Sequence, residues 1–546
     1  MQRRVSELLV VLSCIAATSC ADAAYARLTA HATSTSGKTD DAEPDATSTG
    51  HEPIATVTSA SGGASTSGGT TSDETAGLEA PTIDAFTVDP PVLTDAGPAW
   101  LELEHSPDVV AIKLFELGDD EPVLLAELTP AALPWEFAVT SDSFNGIHEF
   151  RAEVVGNNGE TAEAEASLHV SLPAGGTEVW TYEGEDDVGP MNLGTAVAAV
   201  DDGAIIIGQH VAPGDSSMIV RKVDADAGTT VWELPPDYDV TGNAVVVGAD
   251  GTIVIAGCVV EETISRMWVH KLDRDGQPLA GWPRTGPLST CANEAAINQV
   301  GDVFVVGDKF VEGLEDHHDV VVWKIPAEGP ETLVTWDNDH DFFVDDHAQS
   351  VVVRGMDEVF ISGFSLLNGQ NFIDVERPFL LELSKTNALK LLWSAPIEAE
   401  ECEAALDLTA DELGGFVLSG WWKPDPMTFG RAVVTRIAQL PDQTWDRTWT
   451  FSPGWETTGY ASAVRRDAEG RIVVATTLEG DIDADIRLFA LPLDDGEPVW
   501  EASYAYPVGG DDIVYDLDTD HYGYPYYVGT TYTDDGFHVV AGRHRP

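Results

Sequence analysis

From Thr177 to Pro546 the chain is a succession of short apolar runs, each closed by a cluster of Gly, Asp or Asn. The runs show little polar alternation, which predicts β-strands covered on both faces rather than on one. In the first unit they span Thr195–Val200, Ala204–Gly208, Met218–Val223 and Thr229–Leu234. The turns between them, Asp201-Asp202-Gly203 and Asp224 to Gly228, hold the residue types that tight hairpins need.

Two anchors show that this four-strand unit repeats. One is an apolar run ending in Gly: Gly208, Gly257, Gly307, Gly363, Gly420 and Gly529, with Thr476 in Gly's place in one copy. The other is a late tryptophan: Trp180, Trp232, Trp282, Trp336, Trp393, Trp449 and Trp500, spaced 50 to 57 residues apart. Both series have seven members, and four-stranded units at this period predict a β-propeller. The phase of the series is more specific. The strand around Trp180 precedes the first Gly strand, and the last unit stops near Val540 without a tryptophan. Pairing the first strand with Phe537–Ala541 would complete the seventh sheet and leave no open inner edge.

The turn-and-tryptophan sequence Lys222-Val223-Asp224-Ala225-Asp226-Ala227-Gly228-Thr229-Thr230-Val231-Trp232 is echoed at Lys271 to Gly276 and at Asp494 to Trp500. It resembles the bacterial propeller repeats grouped with the pyrroloquinoline-quinone-like family. That resemblance covers about two thirds of the chain and implies fold more than activity. The family's quinoprotein dehydrogenases have eight blades and usually an adjacent Cys-Cys pair at the cofactor. This chain counts seven units and has no such dipeptide, so no quinone cofactor is expected.

Upstream, residues 80–173 change to period-2 alternation, as in Ala99 to Glu104, Val109 to Leu117 and Ala162 to Leu172. Such runs predict an antiparallel sandwich. Asn145 to Val154 is similar to the penultimate strand of bacterial immunoglobulin-like domains, with His148 where that family often has Tyr. The resemblance implies a spacer domain without a disulfide. Residues 20–79 are dominated by Ser, Thr, Gly and Ala and cannot bury a core, which predicts a flexible tether. Residues 1–19 place Arg3 and Arg4 before the apolar run Leu8 to Ala17, the pattern of a signal peptide. That run is too short to span a bilayer. Ala17-Thr18-Ser19-Cys20 resembles a bacterial lipobox, which implies acylation at Cys20 and a location in the cell envelope, at the outer membrane or cell surface; Ala21-Asp22-Ala23 offers ordinary cleavage and secretion as the alternative.

Charge narrows the partners. Of 546 residues, 93 are Asp or Glu and 28 Lys or Arg, a formal net charge of −65. Nucleic acid is excluded as a partner and anionic lipid is repelled, so a membrane is reached only through a lipid anchor. Hydrophobic residues make up 43% of the chain, which is ordinary for globular proteins and excludes disorder throughout.

Candidate chemistry concentrates in acidic loops. Three D-x-D-x-D runs occur: Asp337/Asp339/Asp341, Asp481/Asp483/Asp485 and Asp516/Asp518/Asp520. Alternate carboxylates suit Ca²⁺, although none of the runs has the Gly and distal acid of an EF-hand. Glu315-Asp316-His317-His318-Asp319 and the crossover carrying Asp337, His340, Asp345, Asp346 and His347 are expected near the boundary of the third and fourth blades. Imidazoles added to carboxylates favour Zn²⁺ or a similar ion. Cys258 and Cys291 fall on one face and could pair, with Cys402 left over, but three cysteines permit three pairings. Trp421, Trp422 and Trp455 are placed in loops of that face, for stacking on a sugar or peptide or for packing between blades.

No nucleophile elbow, phosphate loop or zinc-protease motif is present, and no Asp/Glu/Arg constellation stands out from the repeat. The expectation is therefore a non-enzymatic lipoprotein that presents an all-β, seven-bladed propeller as a binding or scaffolding module. Its contact surface would be the loop face, for a protein or glycan ligand. The alternative is a propeller enzyme, a lyase or hydrolase of extracellular glycan.

Overall fold

The computed structural model describes residues 80–546 except 119–121, 184–191, 213–214, 236, 239, 262–263, 313–316, 339–343, 369–373, 396–401, 424–429, 454–457, 481–482, 495, 506–509 and 534–535. Residues 1–79, with the expected signal peptide, Cys20 and the expected tether, lie outside the described residues. Among those residues every named element is a β-strand or a three-residue 3₁₀ turn. No helix among them is long and apolar enough to cross a membrane.

The first body runs from Ile83 to Val170 and has two sheets, one of three strands and one of five. Phe86, Leu101, Phe137 and Val139 from the first meet Ile112, Leu114, Phe150 and Leu168 from the second in one apolar core. The alternation in the sequence therefore does place one face of each strand inside. This body docks on the larger one. The Ala96 N–H donates to Tyr524 Oη at 2.8 Å, and Ser141 and Ser143 donate to Glu469.

From Glu178 onward the described strands form seven antiparallel sheets, six of them built on four sequential strands in order from inside to outside. The first carries an extra two-residue strand, Asp237–Tyr238. In the seventh, the fourth position is taken by Glu178–Glu183, which pairs with Gly536–His544 and sets Trp180 opposite Arg543. The inner strand of each sheet contacts that of the next, and Asn192–Val200 of the first contacts Asp512–Thr519 of the last. The result is a propeller-like ring.

Both sequence anchors have a physical origin. Every inner strand carries one β-bulge, at Thr195, Asn243, Asn293, Gln349, Leu406, Ser462 and Tyr515. The anchor Gly lies on the second strand opposite that bulge. A Cβ at Gly257, Gly307, Gly363, Gly420 or Gly529 would overlap the carbonyl oxygen of the residue two positions before the facing bulge. The tryptophans fasten neighbouring sheets. Trp180 donates from Nε1 to Ala225 O at 2.8 Å and packs on Gly228, whose φ of +65° suits Gly. Trp232 meets Gly276, and Trp449 meets Gly496, in the same way.

Candidate functional site

The bulges determine which side chains reach the ring's axis. Four of the seven bulged side chains tie their sheet to the next: Thr195 donates to Gly242 O, Asn243 to Ala292 O, Asn293 to Ala348 O and Ser462 to Val514 O, all at 2.6–2.8 Å. The residues just after the bulges are Ala196, Ala244, Glu294, Ser350, Asp407, Ala463 and Asp516. Most are small, as a crowded axis requires; three are acids. Two residues further along, where other sheets carry Ala, Val or Thr, stand Arg465 and Asp518.

These five side chains, from four different sheets, converge. Arg465 pairs through Nη1 with Asp407, through Nη2 with Asp516 at 3.3 Å and through Nε with Asp518 at 3.8 Å. Asp407 is saturated, accepting also from Ser350 Oγ at 2.6 Å and from the Leu408 and Val464 N–H groups. Glu294 Oε1 accepts the Ala295 N–H at 2.8 Å. Burial, then repulsion from Asp516, holds the Glu294 carboxyl well above the usual range. Burial pushes Asp516 up to about 7, despite the attraction of Arg465, and raises Asp518 for the same reason. The acids outweigh burial at Arg465 and raise its pKa further. Glu294, Asp516 and Asp518 remain partly exposed.

One guanidinium among four carboxyls cannot neutralise them, so protons stay on the cluster near neutral pH. A carboxyl that keeps its proton beside one that has lost it is the state general acid–base chemistry uses. Sequence reading sees no such constellation because its members are scattered from residue 294 to residue 518. Aligning the units on the anchor Gly would have exposed it: acids and an Arg occupy columns that elsewhere hold Ala, Ser, Val or Thr.

A second cluster lies between the third and fourth sheets. His317–Ile325 brings His317 and His318 beside Val344–Arg354, which carries Asp345, Asp346 and His347. The His318 N–H donates to Asp345 Oδ1 at 2.7 Å, and His347 Nδ1 lies 3.1 Å from Asp308 Oδ2. Asp346 is fully buried, accepting from Ser365 Oγ at 2.5 Å and the Asn338 N–H at 2.8 Å. Burial pushes its carboxyl up to about 6. His317, Asp319 and Asp337 group separately nearby. The His/Asp segments expected at this boundary therefore do meet there.

The remaining acidic candidates are dispersed. Asp339, Asp341 and Asp481 lie outside the described residues. Asp483 accepts the Gly510 N–H at 3.2 Å, and burial followed by repulsion from Asp483 raises Asp485. Asp516 and Asp518 belong to the axial cluster, whereas Asp520 caps a turn by accepting the Tyr522 and Tyr524 N–H groups and pairs with Arg543. Cys258 and Cys291 are disulfide-bonded with Cα atoms 5.1 Å apart. Trp421 is not a loop aromatic. It belongs to Phe416–Lys423 and is 1% exposed, packed against Phe364 and Ala404 with Lys423 over its ring. Trp455 lies outside the described residues.

No family model matches the chain, and no curated protein matches it. Solved structures give distant similarities. One is a protein of unknown function from Dyadobacter fermentans, with 11% identity, 55% of this chain and 93% of that one covered, and a TM-score of 0.38. Another is an ulvan lyase of a polysaccharide lyase family, with 12% identity, 67% and 94% covered, and a TM-score of 0.43. A third is the Synechocystis apocarotenoid oxygenase, with 10% identity, 73% and 91% covered, and a TM-score of 0.34.

Proposed function

We propose that the ring is a seven-bladed β-propeller that cleaves glycosidic bonds at its axis. It would be carried by an immunoglobulin-like sandwich and a tether and anchored in the cell envelope by lipid on Cys20. The observation that carries this reading is the convergence of Glu294, Asp407, Asp516 and Asp518 on Arg465 in positions where the other units have small residues.

In the reaction a protonated carboxyl, Glu294 or Asp516, gives its proton to the glycosidic oxygen as the bond to the anomeric carbon breaks. Its ionised partner takes a proton from the water that attacks that carbon. Asp407, saturated by hydrogen bonds, orients Arg465 rather than exchanging protons. Charge selects the substrate. A lyase that removes a proton beside a uronate needs cationic groups to hold that carboxylate, and this axis offers four acids against one Arg. The balance favours hydrolysis of a neutral glycan.

The test is release of reducing ends from a panel of neutral glycans by the lipid-free chain beginning after Cys20. Turnover should fall about 100-fold or more in Glu294→Gln and in Asp516→Asn, while both variants keep the parent's circular dichroism. Glycan retained without turnover would instead favour a binding module that uses the loop face. Turnover unchanged in both variants would remove the axis from the chemistry.

A further inference from the structure

Independently of the axis, we propose that His318, His347 and Asp345 form a binding site for a divalent transition-metal ion, Zn²⁺ being the ion of choice, with Asp308 as the residue that orients His347. One ligand atom from each of the three lies within 4.8 Å of the others. A tetrahedral zinc with bonds near 2.0–2.1 Å wants its ligand atoms about 3.3 Å apart, a closure that rotation of the two imidazoles can supply.

Three observations point to a metal rather than to an ordinary polar cluster. First, the two imidazoles face each other, with ring centroids 5.3 Å apart and planes tilted by 34°, and Asp345 Oδ1 lies 3.3 Å from His318 Nδ1. Two neighbouring imidazoles beside carboxylates are a ligand arrangement for zinc, nickel, copper or cobalt, whereas Ca²⁺ and Mg²⁺ prefer oxygen alone. Second, Asp308 Oδ2 sits 3.1 Å from His347 Nδ1. This carboxylate–imidazole contact sets the tautomer and leaves Nε2 as an electron-pair donor, the outer-shell device common to metal-bound histidines. Third, Asp308 is 5% exposed and its Oδ1 has no hydrogen-bond partner. A buried carboxylate oxygen left bare is costly unless a cation is near.

The scaffold suits the task. Asp308 lies on the second strand of the third sheet and His318 is the second residue of its third strand; Asp345 and His347 share the inner strand of the fourth. Phe310 and Phe364 pack on His318 and His347 respectively, with ring centroids 5.5 and 5.1 Å apart. Three protein ligands leave one position of a tetrahedron open, as in zinc sites that bind water or an exchangeable ligand.

The experiment uses the lipid-free chain beginning after Cys20, stripped with chelator and titrated with Zn²⁺, Co²⁺ and Ca²⁺ separately. Metal content, calorimetry and melting temperature are read together. Zn²⁺ should bind once per chain at these residues and raise the melting temperature, with Ca²⁺ giving no comparable rise. Co²⁺ should show the visible absorption of a tetrahedral nitrogen and oxygen site. His318→Ala and His347→Ala should each abolish the zinc response with the fold intact by circular dichroism, and Asp308→Asn should weaken affinity roughly 10- to 100-fold. Zinc binding that survives both histidine substitutions, or is lost only in His317→Ala, would overturn the assignment; so would a response to Ca²⁺ equal to that to Zn²⁺.

Discussion

Asp516 Oδ2 accepts the Val197 N–H at 2.9 Å, joining the inner strand of the last sheet to that of the first across 319 residues of sequence. Asp518 does the same for the Ala199 N–H, also at 2.9 Å. Asp407 repeats the arrangement with Val464 between the fifth and sixth sheets. These axial carboxyls are thus both seam clamps and members of the proton-holding cluster.

The dual role makes stability pH-dependent. Burial lifts Asp516 from an ordinary 3.8 to about 7 in the folded ring. Between those values the unfolded chain has lost this proton and the native ring retains it. Rising pH therefore favours unfolding across that window, and the effect levels off above about 7. Asp516→Asn keeps an oxygen for Val197 but no longer titrates. Urea unfolding of parent and variant at a series of pH values should show the parent losing stability relative to the variant from about pH 4 to about pH 7. Parallel curves would mean that the carboxyl is ionised throughout.

Removing Arg465 leaves the acids without their cation. Arg465→Leu should lower stability by about 3–5 kcal/mol, and Arg465→Lys by less, because the ammonium restores charge but not the fork that reaches three carboxyls. Denaturant midpoints report both. A harmless Arg465→Leu would show that the cluster is fully protonated on its own.

Closure by the first strand predicts that damage to it spreads. Trp180 is 7% exposed and lies edge-on to Tyr526, with centroids 6.1 Å apart. Trp180→Ala should cost about 3–5 kcal/mol and lower the melting temperature of the whole ring in one transition. Deleting Glu178–Glu183 should do more, since it exposes the edge of Gly536–His544. A ring that melts unchanged without this strand would refute closure.

Gly228 tests the packing between sheets. Its φ is +65°, and a Cβ there would overlap the Trp180 indole. Gly228→Ala should therefore destabilise by more than the roughly 1 kcal/mol that backbone strain alone would cost. Gly355, also at positive φ but with open space around its Cβ position, is the control, and its Ala variant should show the backbone effect only.

The repeating hydrophobic pattern, the Gly and Trp anchors and their offset were enough to read four-stranded units and the strand that completes the last of them. Those features are local, since strand period, turn residues and a Gly facing a bulge depend on near neighbours in sequence. The meeting of the His317–His318 segment with His347 was also legible, because successive units in a repeat lie side by side. What sits at the axis was not. Glu294, Asp407, Arg465 and Asp516 become neighbours only when the ring closes, and the register of each bulge decides which residue turns inward. Burial likewise reversed the expectation for Trp421, whose strand carries on past its Gly into the space between sheets. The amino-acid order determined the units and their sequence around the ring. The closed tertiary structure alone decided the charge balance, because desolvation and repulsion act through space between side chains that the chain itself keeps far apart.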